Sequence, residues 1–364
     1  MNALRFDLFC RVVDNYGDAG VCWRLARQLA SMGHAVRLWI DDLGTLARLV
    51  PEIDPSLDRQ TRHGVEVGAW ALADQAGAPE RGVVIEAFAC TPPQRYQDTL
   101  AARHCLWINL EYLSAEPWVE GCHGLPSPQA NGVPKHFYFP GFTPATGGLP
   151  REAGLLAQRD GTARRDRRER LRELTGLPAD DLIAGCRYAL LFCYPDAPWA
   201  GLRAALAQLD TPTCLLVPGP RPPGLSDLGA LRVLDIPFVP QSRFDELLWC
   251  CDLNFVRGED SLVRAIWAGR PLVWQAYRQE DEAHLDKLEA WLDRARWPQP
   301  AQDLTRAWNR GDDEAVRQAA LLALADGTWQ TWQARSRAWA DELAGLVDLA
   351  TGLVNFCQKR LQKS

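Results

Sequence analysis

The sequence predicts an α/β protein of two doubly wound domains, and three observations lead there. Short, almost continuous apolar runs alternate with segments of helical periodicity, and this alternation occurs twice along the chain. The length of 364 residues is too great for one ordinary domain and fits two. Hydrophobic residues make up 47%, enough for two cores, and the 24% of charged residues is ordinary, so global disorder is not expected.

In the first half, Leu4, Phe6, Leu8 and Cys10 begin a strand, and Asp14-Asn15-Tyr16-Gly17-Asp18 form the turn after it. A helix is expected from near Gly20, because Val21, Leu25, Leu29 and Met32 recur at helical spacing, with Gly33 as its stop. The runs AVRLWI (35–40), VVIEAF (83–88) and LWINL (106–110) read as the next strands. Residues 114–150 are rich in proline, glycine and aromatics, with little periodicity. Residues 151–177 turn strongly charged, with Arg164, Arg165, Arg167, Arg168, Arg170 and Arg172 close together. A solvated connector or helix is favoured there over a phosphate- or protein-docking arm.

The second half repeats the alternation. YALLFCY (188–194), TCLLVP (213–218) and LRVLDI (231–236) read as strands, SRFDELLWCC (242–251) as a helix, and DLNFVR (252–257) as a strand. DSLVRAIWAG (260–269) reads as a helix and PLVW (271–274) as the last strand, with only helices after about residue 281. The stretch from Trp329 to about Leu361 is long enough to cross back onto the first domain. The expected division is therefore 1–155, joined by about 335–364, then a connector at 156–180, then 181–334. Ligands are expected in a cleft between the domains, at the carboxyl ends of the strands.

Bulk properties narrow the partners. A net charge of −6 argues against general binding to nucleic acid or to an anionic membrane. The start, MNALRFDLFCRVV, lacks the pattern of a signal peptide, and no apolar stretch is long enough to span a bilayer. The 11 cysteines include no CxxC pair and read as free thiols of a reducing cytosol. The six histidines show no metal-ligand spacing, so no metal site is expected. Most of the 15 tryptophans are expected in the core.

Four segments carry candidate chemistry. Asp14 to Gly20 lies between the first strand and the first helix and is not a GxGxxG fingerprint. It is either a capped turn or a site in which Asp14 and Asp18 act as general base or hold a cationic acceptor. Arg257-Gly258-Glu259-Asp260-Ser261 occupies the matching place in the second half. Amides at a helix start attract phosphate, Ser261 adds a hydroxyl, and Arg257 and Arg264 supply charge; the plainer reading is acids complementing a helix dipole. Phe192, Tyr194, Phe238 and Gln241 suit a stacked pyrimidine base, or simply the core. The cluster from Asn109 to Glu116, with residues 135–142 beyond it, either lines the cleft or is a capped loop.

Taken together, DNYGDAGVCWRLARQLA, NLEYLSAE, PKHFYFPGF and VRGEDSLVRAIWAGRPLVW resemble the elongation factor P arginine rhamnosyltransferases. The likeness runs through both halves and rests on several long motifs in order. It implies the GT-B fold, two Rossmann-like domains with the donor dTDP-β-L-rhamnose held mainly by the second and the acceptor protein met by the first. It implies inverting, metal-independent transfer of rhamnose to an arginine nitrogen, with no cofactor, in the cytoplasm. Asp14, Asp18 and Glu259 would be the functional carboxylates. Tyr16, Gly17, Phe192, Tyr194, Phe238, Gln241, Arg257, Gly258, Glu259, Asp260, Ser261 and Tyr277 would surround the donor.

The implied chemistry is physically coherent. A guanidinium is a cation and a poor nucleophile. Two close carboxylates can bind it, localise a lone pair on one nitrogen, and take its proton as the C–N bond forms. Helix-start amides and Arg257 can receive the charge of the leaving nucleotide. The competing expectations are a GT-B transferase or epimerase using another nucleotide sugar, and a non-catalytic protein that binds a translation factor.

Overall fold

The structure, a computed structural model, describes residues 3–14, 16–162, 166–279 and 282–362. Asn15 of the first candidate segment, and Arg164 and Arg165 of the charged one, lie outside the described residues. The chain divides into two compact units, Met1–Ala153 with Leu346–Ser364, and Gly154–Gly345.

The first unit is built on an eight-stranded sheet. Its strands are β1 (Arg5–Cys10), β2 (Ala35–Ile40), β3 (Arg59–Arg62), β4 (Val65–Ala69), β5 (Val83–Ala87), β6 (Leu106–Leu110), β7 (Pro126–Ser127) and β8 (Lys135–Tyr138). They lie in the order β3-β4-β2-β1-β5-β6-β8-β7. The central pairings are parallel, and the pairs β3–β4 and β7–β8 at the edges are antiparallel. Because β1 lies between β2 and β5, the carboxyl ends of β1 and β5 form a topological switch point, the place where such sheets build sites. The helices of this part are α1 (Gly17–Ser31), α2 (Leu43–Leu49), α3 (Ala73–Ala76), α4 (Gln94–Asp98) and α5 (Trp118–Cys122).

The α1 helix begins three residues before the predicted start, since the Gly17 amide already donates to the Asp14 carbonyl at 2.6 Å and that of Gly20 to Tyr16 at 2.9 Å. It ends as expected, at Gly33 with φ of 87°. A core of Phe9, Trp39, Val84, Tyr96, Leu100 and Trp107 lies against the sheet. A polar group is built into it: Asp7 accepts from Arg37 at 2.7 and 2.5 Å, from the Trp39 indole at 3.3 Å and from the Tyr96 hydroxyl. A buried carboxylate satisfied by three partners does not carry an unpaired charge.

The second unit has a fully parallel sheet of β9 (Arg187–Leu191), β10 (Thr213–Pro218), β11 (Leu231–Ile236), β12 (Leu253–Arg257) and β13 (Leu272–Gln275). The order is β11-β10-β9-β12-β13, so the switch point falls between the ends of β9 and β12. Its helices are α6 (Leu155–Thr162), α7 (Arg167–Thr175), α8 (Trp199–Leu206), α9 (Gln241–Cys250), α10 (Gly258–Ala268), α11 (Ala283–Ala295), α12 (Gln299–Arg310), α13 (Asp313–Ala323) and α14 (Asp326–Ala344). Trp274, Trp291, Trp297, Trp332 and Trp339 interlock beside the sheet with ring centroids 4.8–6.2 Å apart.

Two parts of the chain's organisation differ in extent from the expectation. The described parts of the charged segment, 154–162 and 166–175, are helical as one of the expectations had it, but they pack into the second unit, with Leu171 buried, Arg167 paired to Asp252 at 2.5 Å and Arg170 to Glu246. The buried Arg159 donates to the Trp267 carbonyl at 2.9 Å. The C-terminal stretch, expected from Trp329 to about Leu361 to return to the first domain, consists of two helices, and only the second does so. The long α14 belongs to the second unit, and α15 (Leu349–Leu361), capped by Asp348 through the Thr351 amide at 3.0 Å, belongs to the first. Among the described residues, no helix is long and apolar enough to cross a membrane.

Candidate active site

In the first unit, the chain leaving β1 folds around Asp18. This side chain is only 2% exposed, and its Oδ2 accepts the amides of Val13 and Asp14, each at 2.8 Å. No described residue donates to its Oδ1. Burial raises its pKa above the ordinary 3.8; the amides of Asp14 and Val13 oppose the rise, and the charges of Asp14 and Asp41 add to it. Asp14 is itself buried, with 9% exposure. Gly17 explains part of this arrangement, because a Cβ added there would sit 2.6 Å from Asp14 Oδ2. Tyr16 begins the helix beside them, its hydroxyl accepting from Arg48 at 3.4 Å. The buried thiols of Cys10 and Cys22 share a hydrogen bond, and both are pushed up in pKa, Cys10 mainly by that bond and Cys22 mainly by burial. They therefore stay neutral beside the carboxylate.

At the same sheet end, the residues after β5 adopt left-handed backbone at Phe88, Ala89 and Thr91, with φ of 58°, 55° and 42°. The buried Asn109 holds this turn, accepting the Ala89 amide at 3.1 Å and donating to Glu111 at 2.5 Å. Phe88 stacks on Tyr112 with centroids 4.3 Å apart. Ser114 donates to Glu116 at 2.9 Å. The cluster after β6 is thus a capped loop that buttresses the switch point.

The second unit's switch point gathers most of the predicted donor residues. The Arg257 guanidinium carbon lies 4.9 Å from the ring centres of both Phe192 and Tyr194, held against two aromatic faces. Phe238 and Phe244 continue the aromatic set beside Phe192, at 6.4 and 5.3 Å, and Tyr277 meets Tyr194 edge-on at 5.9 Å. Gly258 begins α10 with φ of 60°, and its carbonyl accepts the Trp274 indole at 2.8 Å. Gln241 donates to Asp260 at 3.0 Å, which links a residue expected at the base to one expected near the diphosphate. Glu259 lies 3.7 Å from Lys287 on α11.

Two predicted donors are committed elsewhere. The Ser261 hydroxyl donates to the Arg257 carbonyl and accepts the Arg257 amide at 3.1 Å, so it braces the turn. Arg264 is fully buried and bonded to Asp245 at 2.6 and 2.8 Å, which removes it as a source of charge for a ligand. The sequence reading also passed over Gln275, Asp196, Asp41 and Phe88. Gln275 ends a strand and the other three follow one within five residues, and that position is the available signal. Among the described residues no group of three or more histidine, cysteine or acidic side chains is placed to hold a metal.

The chain matches the profile of the family described as Elongation-Factor P (EF-P) rhamnosyltransferase EarP over residues 6–358. It is 47% identical over 380 residues to a protein-arginine rhamnosyltransferase of Pseudomonas putida, covering 98% of this chain and 99% of that one. The corresponding protein of Pseudomonas aeruginosa is 43% identical over 392 residues, with 96% and 98% covered. A solved structure described as the structural basis for EarP-mediated arginine glycosylation of translation elongation factor EF-P is 34% identical. It has a TM-score of 0.64, with 98% of this chain and 99% of that one covered. Spinosyn forosaminyltransferase SpnP, at 12% identity and a TM-score of 0.56, covers 99% of this chain and all of its own, and shares the fold, which is GT-B. Matched along almost its whole length at these identities, the chain belongs to the EarP family of elongation factor P rhamnosyltransferases.

Proposed function

We propose that this enzyme transfers L-rhamnose from dTDP-β-L-rhamnose to an arginine side-chain nitrogen of translation elongation factor P, with inversion and without a metal, in the cytoplasm. The observation that carries the reading is the pairing of a buried carboxylate of raised pKa, Asp18, with Asp14 at the first switch point. Asp18 keeps Oδ2 anchored to two amides and takes the acceptor's proton, and Asp14 orients the guanidinium. In the second unit, Phe192, Tyr194, Phe238 and Gln241 receive the thymidine. Arg257 and the helix-start segment of Gly258, Asp260 and Ser261 receive the diphosphate, with Tyr277 beside them. Glu259 faces the sugar and is steadied by Lys287. Tyr16 and Gly17 contribute from the first unit.

Two experiments test the finer points. Thermal protection compared across dTDP, UDP, GDP and ADP identifies the nucleotide. Protection by dTDP above the others is expected, and equal or greater protection by another nucleotide contradicts the donor assignment. The anomeric configuration of the product, read by NMR, reports the stereochemistry, and retention would remove the single-displacement step.

A further inference from the structure

The amide side chain of Gln275, buried at the end of β13, spans the carboxyl end of β12 to reach the segment after β9. Its Oε1 accepts the Tyr194 amide at 2.8 Å, and its Nε2 donates to Asp196 Oδ1 at 3.1 Å. These two bonds fix both the height and the direction of the segment 192–196. That segment carries the two rings that hold Arg257, which itself ends the strand Gln275 reaches over. Gln275 also lines a cavity of about 260 Å³ with Tyr194, Asp196, Tyr277 and Asn309. That space borders Tyr194, so its half-buried side chain is not packed on every side.

We propose that Gln275 is a positioning residue for the transfer: through Tyr194 and Asp196 it locks the aromatic seat of Arg257, and so places the guanidinium that receives the leaving diphosphate. The inference rests on the donor-site reading above. A glutamine is suited to this task because it accepts from an amide and donates to a carboxylate with one planar group. Losing either bond loosens the segment that carries the Tyr194 ring beside that space. A guanidinium displaced by about an ångström is expected to lose on the order of a hundredfold in rate.

The test uses Gln275→Leu, Gln275→Glu and the double variant Gln275→Glu/Asp196→Asn in the full chain. The introduced carboxylate still accepts from Tyr194 but meets Asp196 as a like charge. The second substitution reverses donor and acceptor and restores the bond. Both single variants are expected to lose kcat by roughly tenfold to a hundredfold, with KM for the acceptor unchanged. The double variant should recover most of it. Hydrogen–deuterium exchange across 192–196 should rise in the single variants and fall back in the double one, and this readout needs no turnover. Unchanged exchange in Gln275→Leu, or a double variant no better than Gln275→Glu, overturns the proposal. If wild type transfers no rhamnose, the donor reading fails by itself, and exchange still decides whether the clamp exists.

Discussion

The carboxylate of Asp18 accepts the backbone amide of Asp14, four residues before it, at 2.8 Å. One acid thereby fixes the position of the other. The arrangement separates two roles that an Asp→Asn change also separates, because asparagine can still accept both amides but cannot take a proton at neutral pH.

Asp18→Asn should therefore lose turnover by on the order of 10²–10⁴-fold. Its dTDP affinity, measured by calorimetry, should match wild type, since the donor-binding aromatics lie in the other unit. Retention of wild-type kcat would remove Asp18 as the base.

The same substitution has a signature in stability. The unfolded chain ionises Asp18 near the ordinary 3.8, whereas the native state holds the proton to higher pH because the side chain is buried. Across that window the native state binds more protons, so this group's share of stability falls as pH rises through it and stays lower above. The Tm of Asp18→Asn relative to wild type should rise from pH about 4 towards neutrality. An offset that is constant with pH would mean that Asp18 is not shifted upward.

Gly17→Ala tests the close approach. The new methyl would meet Asp14 Oδ2 at 2.6 Å, and that short side chain is what must yield. A drop in kcat of roughly a hundredfold is expected with a nearly unchanged Tm. Full activity would show that the position of the Asp14 carboxylate does not matter.

Phe238→Ala is expected to weaken dTDP binding by about 1–3 kcal/mol, the worth of a ring stacked on a base. The ring is half-buried beside Phe192, so it has a face to offer. An unchanged Kd, with lowered stability instead, would assign it to the core.

Arg264→Met should cost about 3–5 kcal/mol of stability by urea denaturation, because it removes the arginine paired with the buried Asp245 carboxylate, whereas Arg264→Met/Asp245→Leu should cost far less. Equal losses would mean that the ion pair is not the reason Arg264 is buried.

Much of this architecture was legible in the sequence for a simple reason. Strands covered on both faces, such as β2 and β6, are apolar almost throughout, so their ends are read directly. The RQTR run of β3 was not legible, because an edge strand in a polar hairpin carries no such pattern. Nor was the break between α14 and α15, where Asp348 caps a new helix inside continuous helical periodicity. At the site, positions at strand ends were readable, but the partners of charges were not. Arg257 and Arg264 look alike in VRGEDSLVR; one ends a strand against two rings, and the other lies on the face of α10 that meets Asp245 on α9. Only the folded chain brings residue 245 to residue 264.

The central claim is tested most directly by the intact mass of purified elongation factor P after incubation with this protein and dTDP-β-L-rhamnose. The account predicts a gain of one deoxyhexose, located on an arginine by fragmentation and absent with Asp18→Asn. An unchanged mass, under conditions where dTDP demonstrably binds, would contradict it.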